Sequence, residues 1–248
     1  VSLHQALSVW REQGYSEHAD SAESAYALLR RTLRTLPHFQ VEGAQGLDFE
    51  RLLSPNTFCE RSVMFDLNYF KYCFLKTADL PFDEMRLEDD FEALTKDLVE
   101  GVDNEEFFLY RDFQSRNVMV CDTNSYMIDF QGGRRGPLPY DVASFLWQAS
   151  AGYPQALRDR LIEEYLDELN SLQPVDREQF RSDLLRFVLF RLLQVLGAYG
   201  LRGRFERKPY FLQSIPPALE NVHALLAQGA ASGYPTLEAV LRKLSLQK

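Results

Sequence analysis

The chain has 248 residues, enough for one large domain or two small ones, and its 46% hydrophobic and 13% aromatic content can fill a sizeable core. The net charge of −9 argues against nucleic acid as the main partner. No run approaches about 18 uninterrupted apolar residues, so we expect no membrane partner, and no signal peptide is visible.

The number and spacing of the cysteines indicate the cellular compartment of the protein. Cys59, Cys73 and Cys121 are few, odd in number and unclustered. This favours reduced, buried thiols in the cytoplasm over a disulfide framework or a zinc site. The four histidines are scattered and pair with no cysteine, which argues against a transition-metal site.

Apolar residues recur at helical spacing through the first part of the chain. We predict helices over residues 1–14, 21–36, 55–77 and 83–106. Pro37 is expected to end the second helix, and Ser54 followed by Pro55 is expected to start the third. The aromatic residues of the third helix fit core packing better than a ligand groove. They include Phe58, Phe65, Phe70 and Phe74.

The segment 83–106 is acidic. It holds eleven Asp or Glu residues against Arg86 and Lys96, a net charge of −9. Phe91, Leu94 and Leu98 still give it an apolar helical stripe. Its acidic side is most simply a solvated face, and a site for a cationic substrate is the alternative.

The β-structure is predicted between residues 107 and 130. The runs 107–109, 118–121 and 126–128 are rich in β-formers, and the turn composition of residues 122–125 predicts a hairpin from the last two. Residues 131–137 are predicted to form a flexible loop. Helices are predicted over 139–150, 154–172, 176–199, 209–228 with an interruption at Pro216-Pro217, and 236–247.

Three polar residues lie where the apolar runs of this β-region end: Asp112, Asn117 and Asp129. Such positions are held by a rigid scaffold and remain open to solvent, which suits chemistry better than packing. Two carboxylates and an amide oxygen are hard ligands suited to Mg²⁺, which takes its other ligands from phosphates and water. Each of these residues alone also fits a turn, and Asp141 alone fits a charge at a helix N-terminus, so only the combination points to a site.

The motifs resemble those of kinases. Tyr-Arg-Asp-Phe-Gln-Ser-Arg-Asn at 110–117 resembles the kinase catalytic loop, with Tyr110 in the place of a histidine. Ile-Asp-Phe-Gln at 128–131 resembles the metal-binding Asp-Phe-Gly, with Gln131 in the place of the glycine. With Gly136-Pro137 and the segment 140–146, they are similar to the aminoglycoside phosphotransferase and choline kinase superfamily, and most to the cell-wall amino-sugar kinases that act on N-acetylmuramate or N-acetylglucosamine.

The resemblance implies an α+β, mainly helical fold over residues 1–248, the C-terminal lobe of a protein-kinase-like fold with a small catalytic β-hairpin. The sequence contains no Gly-x-Gly-x-x-Gly motif and no lysine-bearing strand before residue 107. We therefore expect the N-terminal β-lobe to lie outside this sequence, and the isolated chain to be inactive.

The resemblance also implies the roles of the reacting groups, with ATP and Mg²⁺ as cofactors. Asp112 accepts or orients the proton of the attacking hydroxyl. Asn117 and Asp129 hold Mg²⁺ against the ATP phosphates. Arg116 neutralises charge near the transferred phosphoryl group or contacts the acceptor.

The surrounding residues are given supporting roles by the same resemblance. Met119 and Ile128 form the floor beneath adenine. Arg111 is structural, and Asp141 accepts backbone N–H groups of the catalytic loop and holds its shape. Residues that are expected near the acceptor, or are otherwise solvated, are Gln114, Arg134 and Arg135.

The leading hypothesis is an ATP-dependent kinase for a hydroxyl of a small molecule, with an amino sugar favoured over an aminoglycoside, choline or homoserine. The alternative is a pseudokinase-like binding or regulatory module, which the intact Asp112, Asn117 and Asp129 argue against and the missing lobe argues for. A helical protein-interaction domain would require the central motif to be a coincidence.

Overall fold

The computed structural model describes residues 1–102, 106–122 and 124–244. Predictions for Thr123 and for the ends of the segments 83–106 and 236–247 lie partly outside these residues. The chain divides into two compact units. Unit 1 contains Val1–Thr57 and Asn104–Arg181, and unit 2 contains Phe58–Asp103 and Ser182–Lys248. The assignment of all 248 residues to one lobe stays a prediction.

The fold is mainly helical with a small β part, as predicted. The α-helices are α1 (Leu3–Ala6), α2 (Ser8–Glu12), α3 (Ala22–Pro37), α4 (Glu60–Cys73), α5 (Glu84–Val99), α6 (Leu138–Leu146), α7 (Gln155–Leu172), α8 (Arg177–Tyr199), α9 (Pro209–Ala227) and α10 (Pro235–Leu244). The strands are β1 (Phe108–Leu109), β2 (Val118–Cys121), β3 (Asn124–Met127) and β4 (Arg134–Arg135). Short π-helical turns cover His38–Glu42 and Gly200–Phe205, and 3₁₀ turns cover Phe49–Arg51 and Leu75–Thr77.

In unit 1, α3 packs along α7. The face of α3 that carries Leu29, Leu33 and Leu36 is fully buried, as its helical spacing predicts. At the end of α3, His38 lies between two glutamates, with Nδ1 2.7 Å from Glu42 and Nε2 2.9 Å from Glu168. The hydrogen bonds to these carboxylates raise the pKa of His38.

Two antiparallel ladders in unit 1 carry the β-structure. Strands β2 and β3 form the predicted hairpin, with Val118 opposite Met127 and Cys121 opposite Asn124. Strand β1 pairs with β4, with Leu109 opposite Arg134. The prediction of a flexible loop over 131–137 is therefore wrong at its centre, because residues 134–135 extend to satisfy the backbone of β1.

In unit 2, α5 packs against α4 and α10. Phe91, Leu94 and Leu98 are fully buried, which confirms the predicted stripe. Asp90 is buried as well, and its Oδ2 accepts a 2.8 Å hydrogen bond from the backbone N–H of Leu237 in α10. The core assignment is wrong for Phe65 on α4, which is 70% exposed.

Several helix boundaries differ from the predictions. Residues 1–14 form two short helices, α5 ends at Val99 rather than at residue 106, and α6 ends at Leu146 rather than at residue 150. Ser54-Pro55 does not start α4, because the following residues 56 and 57 extend beside Arg135, and the helix begins at Glu60. Pro216 and Pro217 do not interrupt α9. The carbonyls that lose a donor there belong to residues 212 and 213, which are exposed to water, so the helix continues through both prolines.

By length and composition alone, the helical run Arg177–Phe205 could cross a membrane, although 56% of its most apolar window is buried inside the protein. A core helix of a soluble protein has the same properties, so this run is only weak evidence for a membrane-spanning segment. The three cysteines are free thiols. The expectation that all are buried is wrong, because Cys121 is exposed at the end of β2 and the other two are half-buried.

Candidate active site

The predicted catalytic loop, residues 110–117, connects β1 to β2 and is held by helix α6. Asp141 in the first turn of α6 is fully buried. Its Oδ2 accepts a 2.8 Å hydrogen bond from the backbone N–H of Tyr110, and its Oδ1 accepts one of 2.8 Å from that of Arg111. The contacts are those that the supporting role of Asp141 requires.

A second layer fixes the carboxylate itself. Gln40, which is fully buried, donates from Nε2 to Asp141 Oδ2 at 3.3 Å and to the carbonyl of Leu138 at 3.1 Å. The hydroxyl of Tyr165 donates to Gln40 Oε1 at 2.6 Å. Burial raises the pKa of Tyr165, so the phenol stays a neutral donor. The amide of Gln40 is thereby held with its donor toward the aspartate.

Gln148, two residues after the end of α6, holds the loop at a second point. Ser115 is buried, and its Oγ donates to Gln148 Oε1 at 2.7 Å, while Gln148 Nε2 donates to the carbonyl of Phe145 at 2.6 Å. Helix α6 thus anchors the beginning of the loop, and Gln148, just after the helix, anchors its end.

Tyr110 joins the loop to the end of the hairpin. Its hydroxyl donates to the carbonyl of Ile128 at 2.6 Å, and its ring is buried. Burial raises the pKa of Tyr110, and the nearby Asp141 and Asp129 carboxylates raise it further, so the phenol remains protonated. This bond fixes the backbone immediately before Asp129, which has a φ of 71°.

The three predicted reacting residues lie in one small region. Asn117 donates from Nδ2 to the backbone carbonyl of Asp112 at 3.0 Å and to Asp129 Oδ2 at 3.4 Å. Gln131 donates from Nε2 to Asp129 Oδ1. Asp129 is exposed and Asp112 is half-exposed, so both carboxylates are accessible from solvent.

The donor set at Asn117 and Asp129 fits Mg²⁺. With the Asn117 Nδ2 donating, its amide oxygen is available as a hard ligand beside the Asp129 carboxylate, and Mg²⁺ bound with phosphates needs only one or two protein carboxylates. Among the described residues, no group of three or more His, Cys, Asp or Glu side chains comes together, as a transition-metal site would require.

Arg111 and Arg116 lie on different sides of the loop. Arg111 has a φ of 77°, and a Cβ added at Gly132 would lie 3.6 Å from its Cδ and Nη1, so its side chain runs along the loop that follows Asp129. Arg116 is exposed, with Nη2 3.4 Å from Nε2 of His4.

His4 is a neighbour of the site that no sequence pattern indicates. Its ring Nδ1 lies 3.4 Å from Arg11 Nη1 and 3.5 Å from Ser115 Oγ, and its backbone N–H donates to the carbonyl of Ser115 at 3.0 Å. Burial and the positive charges of Arg11 and Arg116 lower the pKa of His4 to about 4. The ring is therefore neutral at pH 7, and the one nitrogen that carries no proton accepts a hydrogen bond from the arginine beside it.

The remaining predicted residues lie in the catalytic loop, in the hairpin or just after it, and in strand β4. Met119 on β2 is half-buried and bridges to Ser2, whereas Ile128 is 44% exposed. Gln114 is half-buried, and its carbonyl accepts from the backbone N–H of Asn117 at 2.9 Å.

The structure separates the two adjacent arginines of β4. Arg134 is buried, whereas Arg135 is exposed and its guanidinium lies 4.7 Å from the ring centre of Phe49.

The curated relatives that this chain matches include two N-acetylmuramate/N-acetylglucosamine kinases. The protein of Pseudomonas aeruginosa (strain PAO1) is 26% identical over 125 residues, which cover 49% of this chain and 37% of that protein. The protein of Pseudomonas putida (strain KT2440) is 26% identical over 125 residues, which cover 48% of this chain and 36% of that protein. The match spans little more than a third of these relatives.

A choline kinase from Cryptosporidium parvum has a similar fold. It superimposes with a TM-score of 0.53 at 14% identity, covering 87% of this chain and 69% of that protein. The predicted superfamily resemblance is confirmed by these similarities and by a family model. The model for a phosphotransferase enzyme family matches residues 6–178, which contain Asp112, Asn117, Asp129 and Asp141, and the chain belongs to this family.

Proposed function

We propose that this chain carries the catalytic loop and acceptor side of an ATP-dependent kinase that phosphorylates a hydroxyl of a small molecule, most favourably an amino sugar. The observation that carries the proposal is that Asn117 donates hydrogen bonds to both Asp129 and the backbone carbonyl of Asp112. The catalytic loop that contains Asp112 and Asn117 is held by the buried Asp141. A regulatory module would not need these three polar groups together.

The chemistry is an in-line displacement. The acceptor oxygen bonds to the γ-phosphorus of ATP as the bond to the bridging oxygen breaks, and ADP leaves. Asp112 orients the acceptor hydroxyl and takes its proton. Arg116 neutralises charge on the transferred group, or contacts the acceptor.

Asn117 and Asp129 would hold Mg²⁺, which when bound neutralises charge on the nucleotide phosphates. Met119 and Ile128 would face the adenine. Arg111 has a structural role in the loop. In kinases a lysine on a strand contacts the nucleotide phosphates, and we assign this lysine to a lobe outside the sequence. The experiments below therefore use the full-length polypeptide. We place this polypeptide in the cytoplasm.

The amino-sugar acceptor is supported by the two Pseudomonas relatives, which are kinases of N-acetylmuramate and N-acetylglucosamine. The choline kinase similarity, at 14% identity, supports the fold alone. A phosphate-transfer screen over amino sugars, aminoglycosides, choline and homoserine with Mg²⁺ and ATP tests the choice. Nucleotide binding without transfer to any acceptor would favour the regulatory alternative.

Substitution of the two aspartates separates their roles. Asp112→Asn is expected to lower turnover about 10²–10⁴-fold with nucleotide affinity nearly unchanged, because a positioned base acts mainly in the transition state. Asp129→Asn is expected to weaken binding of Mg²⁺-ATP as well. Turnover and nucleotide dissociation constants are measured for both variants.

Asp122→Asn is the matched control. Asp122 is exposed in the same hairpin and has a φ of 54°, which asparagine also adopts readily. Near-normal turnover in Asp112→Asn would refute the kinase mechanism proposed for this loop.

A further inference from the structure

Arg135 and Phe49 form the shared wall of two cavities in unit 1. The larger cavity, about 450 Å³, is also lined by Glu106, Phe107 and Gln173. The smaller one, about 220 Å³, is also lined by residues 50, 56 and 57. The larger volume falls within the range of roughly 300–1,000 Å³ that is typical of small-molecule sites.

The backbone of Arg135 is fixed from both sides. On one side it pairs with Phe108 in the β1–β4 ladder. On the other its N–H donates to the carbonyl of Asn56 at 2.9 Å, and it forms a parallel bridge with Thr57. The starting point of the arginine side chain is therefore set by the sheet.

The guanidinium is also oriented. It stacks on Phe49 with 4.7 Å between its Cζ and the ring centre. Within the ranges that the structure describes, Arg135 makes no ion pair, whereas Arg30, Arg34 and Arg177 of the same unit each contact a carboxylate. A planar, pre-oriented guanidinium without a carboxylate partner is suited to bidentate binding of an anion.

We propose that Arg135 binds the carboxylate of an acidic amino sugar, so that the cavity is an acceptor subsite that favours N-acetylmuramate over N-acetylglucosamine. The inference rests on the proposed amino-sugar kinase function. N-acetylmuramate differs from N-acetylglucosamine by an ether-linked lactyl group, which carries a carboxylate. Glu106, which also lines the cavity, would repel that group, so the carboxylate is assigned to the Arg135 end, and Glu106 and Gln173 are left to bond sugar hydroxyls.

The test compares the two sugars in the full-length enzyme. Arg135→Ala is expected to raise the KM for N-acetylmuramate about 10-fold to 100-fold, the range for loss of hydrogen bonds to a charged group, and to change that for N-acetylglucosamine less than about twofold. Arg135→Lys keeps the charge but lacks the paired N–H donors of the guanidinium and its stacking on Phe49. The KM for N-acetylmuramate should therefore lie between those of the wild type and Arg135→Ala. Arg51→Ala, which removes an exposed arginine that pairs with Asp48, is the control.

Equal losses for the two sugars, or an unchanged KM for N-acetylmuramate in Arg135→Ala, would overturn the subsite. If the wild-type enzyme phosphorylates neither sugar, the proposed function fails. The subsite is then tested separately, by calorimetric measurement of N-acetylmuramate binding. Binding of N-acetylmuramate that weakens at least tenfold in Arg135→Ala, but not in Arg51→Ala, would support it. Equal binding to wild type and Arg135→Ala, or no binding to wild type, would refute it.

Discussion

Asp141 is the best single point at which to perturb the catalytic loop. Its two carboxylate oxygens accept from the backbone N–H groups of Tyr110 and Arg111, both at 2.8 Å, and from Gln40 at 3.3 Å. In Asp141→Asn, one oxygen becomes an NH₂ group. That donor then faces at least one N–H donor in a site that is closed to water.

The expected loss follows from these contacts. Removing one charge-assisted hydrogen bond costs about 1.5–3 kcal/mol, and leaving its buried N–H without an acceptor costs about 1–3 kcal/mol more. Neutralising a buried charge removes part of its desolvation penalty and offsets some of this loss. We therefore expect Asp141→Asn to lower the free energy of unfolding by about 2–4 kcal/mol, a fall in Tm of roughly 4–16 °C for a chain of this size.

Thermal unfolding followed by circular dichroism measures the change. The matched control is Asp159→Asn, which makes the same charge change at an exposed position on α7 where Oδ1 accepts only from Gln155 at 2.8 Å. The control should stay within about 0.5 kcal/mol of the wild type. If Asp141→Asn unfolds at the same temperature as Asp159→Asn, the anchoring role of Asp141 is wrong.

Two further substitutions probe the support of the site, and a third, combined with a change of pH, probes the end of α3. Gly133→Ala should destabilise by about 1–3 kcal/mol in urea unfolding, because its Cβ would lie 2.3 Å from Phe108 Cζ; an unchanged midpoint would show that the ring moves aside freely. Tyr110→Phe should cost about 1–2 kcal/mol through loss of the bond to the Ile128 carbonyl and weaken Mg²⁺-ATP binding, and normal values of both would contradict this link. His38 has a raised pKa when folded, so its contribution to stability is full below its unfolded pKa of about 6.5 and is lost as pH rises through the folded value; a His38→Gln variant with the same pH dependence as wild type would refute it.

The sequence was sufficient for the elements that depend on local pattern. The apolar spacing of α3 and α5 and the turn-rich residues after Cys121 specify helices and a hairpin without reference to the rest of the chain, and the structure contains them. The catalytic-loop motif likewise selected Asp112, Asn117 and Asp129. Their contacts in the structure are compatible with the predicted roles, and the roles themselves remain proposals.

The sequence was insufficient where a residue's environment depends on distant segments. Gln40 lies 101 positions before Asp141, and His4 lies 111 before Ser115, so no local pattern signals either contact. The pairing of β4 with β1 similarly depends on two segments that are separated in the chain, and composition alone made residues 131–137 resemble a loop. A signal was present only for Asp141, whose place at the start of a helix came from the family resemblance.

The anchors of the loop explain how the protein tolerates unfavourable backbone conformations at the site. Arg111 and Asp129 have φ values of 77° and 71°, in a region that costs a residue other than glycine roughly 1–2 kcal/mol. Each conformation is fixed by a hydrogen bond from a buried group. Asp141 accepts from the N–H of Arg111, and the hydroxyl of Tyr110 donates to the carbonyl just before Asp129. The bond to the Asp141 carboxylate contributes about 1.5–3 kcal/mol and the neutral bond to the Ile128 carbonyl about 0.5–1.5 kcal/mol, so the two anchors together are comparable to the cost of the two strained residues. In this conformation Asp129 is exposed to solvent and accepts a hydrogen bond from Asn117. The proposed cation site requires this arrangement.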